Sequence, residues 1–99
     1  MIEDTSRQIK ILIVDDEKSV ADILRDLLSN NERLIDACYD GLAGIERIQK
    51  NFYDLIIVDL VMPKVGGLDV LRYAKKANPH ALVIINPANI YSKYILNVL

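Results

Sequence analysis

The chain has 99 residues, of which 52% are hydrophobic and 26% are charged, and its net charge is -2 with a pI near 5.2. This length fits one domain, assigned to residues 1–99, and the apolar content excludes an intrinsically disordered chain. The slightly acidic charge argues against direct binding to nucleic acid or to anionic membranes. The single cysteine, Cys38, cannot form an internal disulfide, and no apolar run is long enough to span a bilayer, so we expect a cytoplasmic protein.

Four short apolar runs alternate with segments of helical periodicity. The runs predict β-strands at residues 9–14, 34–38, 54–59 and 81–85, and the first is apolar enough to be buried on both faces. Between them, apolar residues recur at helical spacing and predict three amphipathic helices. Their predicted buried faces are Val20, Ile23, Leu24, Leu27 and Leu28 in the first helix, Leu42, Ile45 and Ile48 in the second, and Leu68, Leu71 and Ala74 in the third, with Val70 and Ala77 as further candidates.

The alternation of strands and helices is typical of α/β proteins. Right-handed crossovers between successive strands produce a doubly wound parallel sheet with helices on both faces. We expect Asp40 to cap the second helix and Cys38 to be a small buried hydrophobic residue. After residue 85 the pattern changes. Residues 86–89 predict a turn, and residues 90–99 have the apolar spacing of a short helix in a composition that suits a strand equally well.

Acidic residues follow two of the predicted strands at the point where each strand ends. Asp15 and Asp16 come after the first strand, and Asp59 ends the third. Ligands of open parallel sheets bind beyond the carboxyl ends of the strands, so we expect the three carboxylates to converge if these strands are neighbours. Clustered carboxylates repel one another, and their hard oxygens suit Mg²⁺. For Asp16 or Glu17 taken alone, a simple helix N-cap is an equally good interpretation.

The acidic doublet is combined with a specific segment that begins at the third acid. The segment reads Asp59-Leu60-Val61-Met62-Pro63-Lys64-Val65-Gly66-Gly67-Leu68. Over residues 9–85 this combination resembles the receiver domain of two-component response regulators. The resemblance implies a flavodoxin-like α/β sheet with the strand order 2-1-3-4-5. It also implies that a sensor histidine kinase or a phosphotransfer protein is the partner that donates a phosphoryl group.

The resemblance gives each candidate site residue a role. It implies that Asp59 is the phosphoacceptor, that Asp15 and Asp16 bind Mg²⁺ together with Asp59, and that the backbone carbonyl of Val61 is a further ligand. A cation in that position would offset the repulsion between a carboxylate nucleophile and a phosphoryl group. The residues that match the family's loop-shaping turn are Met62, Pro63 and Gly67.

The chain departs from the family after the fourth strand. Asn86 stands where the family has a Ser or Thr, and we expect its amide to replace that hydroxyl as a hydrogen-bond donor. Lys93 is the only lysine beyond this point and does not match the family's lysine. The family's fifth strand and last helix also have no counterpart. We therefore expect a fold truncated or altered after the fourth strand, in a fragment or an altered receiver, with impaired switching on phosphorylation.

Two other functions and one assembly remain open from the sequence. One function is a non-phosphorylated pseudo-receiver that acts as an interaction or dimerisation module. The other is a haloacid-dehalogenase-type phosphohydrolase, which would need Asp-x-Asp where this chain has Asp15-Asp16-Glu17. The edge of the fourth strand and the apolar residues 90–99 also predict a homodimer. A monomer in which this segment folds over its own sheet is the alternative.

Overall fold

Strands and helices alternate through residues 8–87, the part of the chain that the computed structural model describes. The elements are β1 (Ile9–Val14), α1 (Lys18–Leu28), β2 (Arg33–Cys38), α2 (Gly41–Lys50), β3 (Leu55–Asp59), α3 (Gly67–Ala77) and β4 (Leu82–Asn86). This order confirms the predicted alternation. The helix or strand expected at residues 90–99 lies outside the described residues. Within the described range, no helix has the length and apolar character needed to cross a membrane.

The four strands form one parallel sheet in the order β2-β1-β3-β4. Val14 of β1 lies opposite Val58 of β3. Asp59 at the end of β3 lies opposite Asn86 of β4. The sheet confirms the predicted doubly wound arrangement, and it places the carboxyl ends of β1, β3 and β4 side by side at one edge.

The central strand β1 is buried on both faces, as its sequence predicts. Ile11 and Ile13 pack with α1 on one face of the sheet, whereas Leu12 and Val14 pack with α2 and α3 on the other. All four side chains are at most 3% exposed. The helices therefore lie on opposite faces, which is the arrangement that right-handed crossovers produce.

The buried faces of the helices contain smaller residues than the sequence pattern indicates. The buried residues are Ala21 in α1, Gly41, Gly44 and Ile48 in α2, and Gly67, Val70 and Ala74 in α3. The prediction is wrong for four large residues, which are exposed: Ile23, Leu27, Leu42 and Leu68. The reason, shown most clearly in α2, is close contact between the helix backbone and side chains of the sheet. A Cβ atom on Gly44 would lie 2.9 Å from a methyl carbon of Val14, so larger side chains occupy the flanks of the helix.

Two predictions at the carboxyl end of β2 are confirmed. Cys38 is 6% exposed, and its Sγ lies 3.7 Å from the carbonyl oxygen of Ile13. Burial raises the pKa of the Cys38 thiol to about 11, although the nearby Arg47 guanidinium acts to lower it. Asp40 caps α2, because its Oδ1 accepts a hydrogen bond of 2.7 Å from the Ala43 N–H.

The last strand is displaced by one residue from its predicted position. β4 covers Leu82–Asn86, whereas the sequence pattern predicts residues 81–85. Asn86 is therefore the last residue of a strand and not the first residue of a turn. Its carbonyl oxygen accepts a hydrogen bond of 3.2 Å from the Leu60 N–H, which extends the pairing with β3 by one residue.

Candidate functional site

Three aspartates meet at the carboxyl edge of the sheet. Asp15 and Asp16 directly follow β1, and Asp59 is the last residue of β3. Because Val14 and Val58 are paired, the residues that follow them lie side by side. One carboxylate oxygen of each aspartate lies within 4.8 Å of the corresponding oxygens of the other two. The predicted convergence of these side chains is confirmed.

The three carboxylates differ in their access to solvent. Asp15 is 2% exposed and Asp59 is 1% exposed, whereas Asp16 is half-buried. The Glu17 N–H donates a hydrogen bond of 2.9 Å to Asp15 Oδ1, and the Val61 N–H lies 3.4 Å from Asp59 Oδ1. Backbone donors of the loops after β1 and β3 therefore hold the two buried side chains. The cluster opens towards solvent on the Asp16 side.

The donor set of this cluster fits a hard divalent cation. All three side chains offer carboxylate oxygens, which are the ligands that Mg²⁺ prefers in proteins. Carboxylates this close repel one another, and a cation between them would remove that repulsion. Val61, the fourth predicted ligand, lies in the loop that follows Asp59, with its N–H directed at the Asp59 carboxylate. The residues present therefore fit Mg²⁺.

A tight turn shapes the loop between β3 and α3. Met62 is 7% exposed and packs into the core beneath the loop. The Val65 N–H donates a hydrogen bond of 2.8 Å to the Pro63 carbonyl oxygen, which closes a three-residue γ-turn around Lys64. Lys64 accordingly has a φ of 66°, in the left-handed region that residues with a side chain rarely adopt. The positions of Met62 and Pro63 agree with the turn that the resemblance implies.

Asn86 lies beside the aspartate cluster at the end of the neighbouring strand. It is the register partner of Asp59 across the β3–β4 pair, and its side chain is half-buried. Pro87 follows it and is exposed. The structure thus places Asn86 next to Asp59 in the sheet.

A cavity beside Asp16 includes two residues, Tyr39 and Gly41, that the sequence pattern does not single out. It measures about 350 Å³ and is lined by Asp16, Tyr39, Asp40, Gly41, Leu42, Pro63, Lys64 and Val65. The Tyr39 hydroxyl donates a hydrogen bond of 2.9 Å to Asp22 Oδ1 of α1, and this bond raises the pKa of Tyr39. The Lys18 Nζ lies 5.7 Å from the centroid of the Tyr39 ring. Tyr39 therefore connects α1 to the rim of the site. Its position just after β2, at the carboxyl edge of the sheet, is the feature of the sequence from which its place beside the site could have been predicted.

Comparison with known proteins assigns the chain to a family. The model of the response regulator receiver domain family matches residues 11–99, so the match runs past residue 85, where the resemblance seen in the sequence stops. The chain therefore belongs to the response regulator receiver domain family, whose members are signalling domains. Family membership favours the receiver interpretation over the phosphohydrolase alternative.

Two curated relatives and one solved structure illustrate the similarity. Over 75 residues the chain is 36% identical to the transcriptional regulatory protein DltR of Streptococcus agalactiae and 37% identical to the response regulator ArlR of Staphylococcus haemolyticus. Each alignment covers 76% of this chain and 34% of the relative, so the chain spans about a third of the length of these proteins. The structure of the response regulator TrrA from Thermotoga maritima, in complex with Mg²⁺-BeF, is similar with a TM-score of 0.73 at 31% identity. That match covers 79% of this chain and 68% of TrrA.

Proposed function

We propose that this domain accepts a phosphoryl group on Asp59, with Mg²⁺ bound by Asp15, Asp16, Asp59 and the Val61 carbonyl. The observation that carries the proposal is the approach of the three carboxylates to within 4.8 Å of one another at the end of β3. Family membership supports it, as does the similar structure of TrrA, which is a complex with Mg²⁺-BeF. The role is that of a signalling phosphoacceptor.

The proposed reaction converts the Asp59 carboxylate into an acyl phosphate. A carboxylate oxygen of Asp59 attacks the phosphorus of a phosphohistidine, and the P–N bond breaks as the P–O bond forms. The electron pair of the broken bond stays on the departing imidazole nitrogen, which takes a proton from solvent. Bound Mg²⁺ supplies positive charge that offsets the repulsion between carboxylate and phosphoryl oxygens. The domain changes only its own Asp59, so we propose no turnover of a separate substrate.

The residues around Asp59 have distinct parts in this proposal. The Val61 N–H restrains Asp59 Oδ1 and so limits the side chain to few orientations. The Glu17 N–H does the same for Asp15 Oδ1. Asn86, which lies opposite Asp59, would donate an amide hydrogen bond to a phosphoryl oxygen, in place of the hydroxyl that the family uses.

The proposed phosphodonor is a sensor histidine kinase or a phosphotransfer protein in the cytoplasm. Such a donor would approach from the Asp16 side, because Asp15 and Asp59 are almost fully buried and Asp16 borders the 350 Å³ cavity. The half-buried Tyr39 lies in the wall of the same cavity. Residues of α1 and of the loop after β2 would then be the first part of the domain that a donor meets.

The direct test is phosphorylation by acetyl phosphate in the presence of MgCl₂, read by intact mass spectrometry. We expect one added phosphoryl group on the complete chain and none on the Asp59→Asn variant or after chelation of the metal. The matched control is Asp40→Asn. Asp40 also follows a strand at this edge, and Asn caps a helix as well as Asp does, so this variant should be modified like the unchanged chain.

An unmodified wild-type chain that still binds Mg²⁺ would contradict the phosphoacceptor proposal and favour the pseudo-receiver interpretation. Modification of Asp59→Asn to the same extent as the wild type would show that another residue accepts the group. Binding of Mg²⁺ can be followed separately by isothermal titration, where Asp16→Ala should abolish the heat of binding. Loss of Mg²⁺ binding and loss of phosphorylation are therefore distinguishable.

A further inference from the structure

The first residue of α2 is in close contact with the loop that follows Asp59. The Val65 carbonyl oxygen occupies the space in which a side chain at Gly41 would begin, and a Cβ atom there would also lie 2.8 Å from the Cβ and Cγ1 atoms of Val65. The carbonyl oxygen and the Cβ atom cannot move away unless the loop backbone moves. The loop can therefore lie where it does only because Gly41, which is buried, has no side chain.

The start of α2 is a firm support for this loop. Asp40 caps the helix, because its Oδ1 accepts a hydrogen bond of 2.7 Å from the Ala43 N–H and its carbonyl oxygen accepts one of 3.1 Å from the Gly44 N–H. The same Gly44 packs closely on Val14 of the central strand. Because these contacts fix the first turn of α2, a side chain at Gly41 would displace the loop more readily than the helix.

The loop is closed on itself, so a displacement at Val65 reaches the residues beside Asp59. The Val65 N–H closes the γ-turn with a hydrogen bond of 2.8 Å, and the Gly67 N–H donates one of 3.1 Å to the Leu60 carbonyl oxygen. Few residues between these bonds are free to absorb a shift. Near the other end of the loop, the Val61 N–H lies 3.4 Å from Asp59 Oδ1.

We propose that Gly41 is a positioning residue for the Mg²⁺ site: by admitting the Val65 backbone, it holds the loop that carries Val61 in place beside Asp59. This inference rests on the proposed function, because it concerns the same metal site. Mg²⁺ demands near-ideal octahedral geometry, and contacts that orient metal ligands typically contribute about 10–100-fold to metal affinity. The contact lies within one chain, so the inference is independent of the predicted homodimer, which involves residues 90–99 outside the described part of the chain.

Titration of Mg²⁺ into the Gly41→Ala variant tests the proposal. We expect isothermal titration to show binding that is weaker by about tenfold or more. In phosphorylation by acetyl phosphate, the half-saturating Mg²⁺ concentration should rise by the same factor. The rate at saturating Mg²⁺ should approach that of the wild type, because added metal compensates for a weaker site.

Gly44→Ala is the matched control. It adds the same methyl group to another buried glycine of α2, where the methyl group meets the Val14 side chain and not the loop. Both variants should unfold at a lower urea concentration than the wild type, so lost stability alone cannot account for a difference between them. Only Gly41→Ala should bind Mg²⁺ more weakly.

Two further measurements make the test independent of the metal and of one variant. In amide NMR spectra recorded in a chelator, the Val61 signal should be displaced in Gly41→Ala and remain at its wild-type position in Gly44→Ala. Val65→Ala approaches the same contact from the loop, since it removes the Cγ1 atom that lies against Gly41. It should weaken Mg²⁺ binding by a smaller factor, and it serves if Gly41→Ala does not fold.

The proposal is wrong if Gly41→Ala binds Mg²⁺ like the wild type, or, should that variant not fold, if Val65→Ala does. Equal weakening in Gly44→Ala would show a general loosening of α2. A lower rate at saturating Mg²⁺ with an unchanged half-saturating concentration would show that Gly41 does not act through the metal ligands. A wild-type chain that binds no Mg²⁺ contradicts the proposed function instead. The spectra in chelator then decide, because an unchanged Val61 signal in Gly41→Ala overturns the positioning role.

Discussion

The backbone carbonyl of Asp59 occupies the space in which any side chain at Gly67 would begin. A Cβ atom on Gly67 would lie 2.4 Å from the Asp59 carbonyl oxygen, far inside van der Waals contact. The Gly67 N–H also donates a hydrogen bond of 3.1 Å to the carbonyl oxygen of Leu60. The start of α3 is therefore in direct backbone contact with the end of β3, and a shift of one element must move the other.

Substitution of Gly67 by Ala should disturb both stability and the site. The added methyl group must push α3 away from β3, and such overpacking costs about 1–3 kcal/mol of unfolding free energy. Because Asp59 lies at the contact, phosphorylation by acetyl phosphate should slow as well. Urea denaturation and intact mass spectrometry measure the two effects.

The adjacent glycine is the matched control for this prediction. A Cβ atom on Gly66 would lie 3.6 Å from the Leu60 carbonyl oxygen, which is an ordinary contact, and Gly66 has a φ of -87° that alanine adopts freely. Gly66→Ala should therefore leave both properties unchanged. Equal effects of the two substitutions would contradict the contact described here.

Replacements of Lys64 should change stability through the backbone, because this residue is in the left-handed region with a φ of 66°. That region costs residues with a Cβ about 1–2 kcal/mol, and asparagine adopts it more readily than lysine does. Lys64→Asn should therefore raise the urea midpoint, whereas the β-branched Lys64→Val should lower it. The slope of the transition should stay constant in both variants. A lower midpoint for Lys64→Asn would show that the lysine side chain contributes more than the backbone strain removes.

Most of the fold could be predicted from the sequence because two kinds of pattern agreed. Continuous apolar runs located β1 and β3, and the spacing of apolar residues located the three helices. The rotation of each helix was harder to predict. Hydrophobic spacing favours large residues such as Leu27 and Leu42, whereas the structure buries Ala21 and Gly44. At Gly44 the close approach of the α2 backbone to the Val14 side chain leaves no room for a larger residue, and that approach arises only when the elements pack.

The candidate site was predictable for a related reason. Strand ends of a parallel sheet meet at one edge whatever the loops do, so Asp15, Asp16 and Asp59 could be placed together before the structure was known. The position of Tyr39 just after β2 could also be predicted, but its contact with Asp22 of α1 could not, and neither could the contact made by Gly41. A Cβ atom on Gly41 would lie 2.2 Å from the Val65 carbonyl oxygen, a contact between the start of α2 and the loop before α3 that sequence spacing does not encode.

Tyr53 should make the stability of the domain depend on pH in the alkaline range. Its ring is 3% exposed, and its hydroxyl donates a hydrogen bond of 2.5 Å to Asp36 Oδ2 of β2. Burial and this hydrogen bond raise the pKa of Tyr53 well above its ordinary value of 10.0, although Arg47 acts to lower it. Because the folded state favours the protonated phenol, its contribution is complete below pH 10.0 and is lost as the pH rises through the higher pKa of the folded state.

Tyr53→Phe measures this contribution. Below pH 10.0 the variant should be less stable than the wild type by about 1 kcal/mol, the net value of a typical hydrogen bond. The difference should shrink as the pH rises above 10.0, because only the wild type then loses the bond. Tyr73→Phe, at a half-buried tyrosine of α3, is the control for removal of a tyrosine hydroxyl elsewhere in the domain. A difference between wild type and Tyr53→Phe that stays constant with pH would be inconsistent with the raised pKa.

Asp59→Asn should stabilise the domain when no metal is present and remove its response to Mg²⁺. Two carboxylates about 4 Å apart repel by about 1 kcal/mol in water and by about 4 kcal/mol near a protein surface. Neutralising Asp59 relieves this repulsion from Asp15 and Asp16, so the unfolding free energy in a chelator should rise. Addition of Mg²⁺ should then stabilise the wild type more than the variant, because binding to the folded state alone adds to its stability.

Urea denaturation with and without Mg²⁺ measures both effects, with Asp40→Asn as the control that should respond to Mg²⁺ like the wild type. If Asp59→Asn is less stable than the wild type in a chelator, the carboxylate is held by favourable contacts that outweigh its repulsion, and the electrostatic basis of the proposed metal site is wrong.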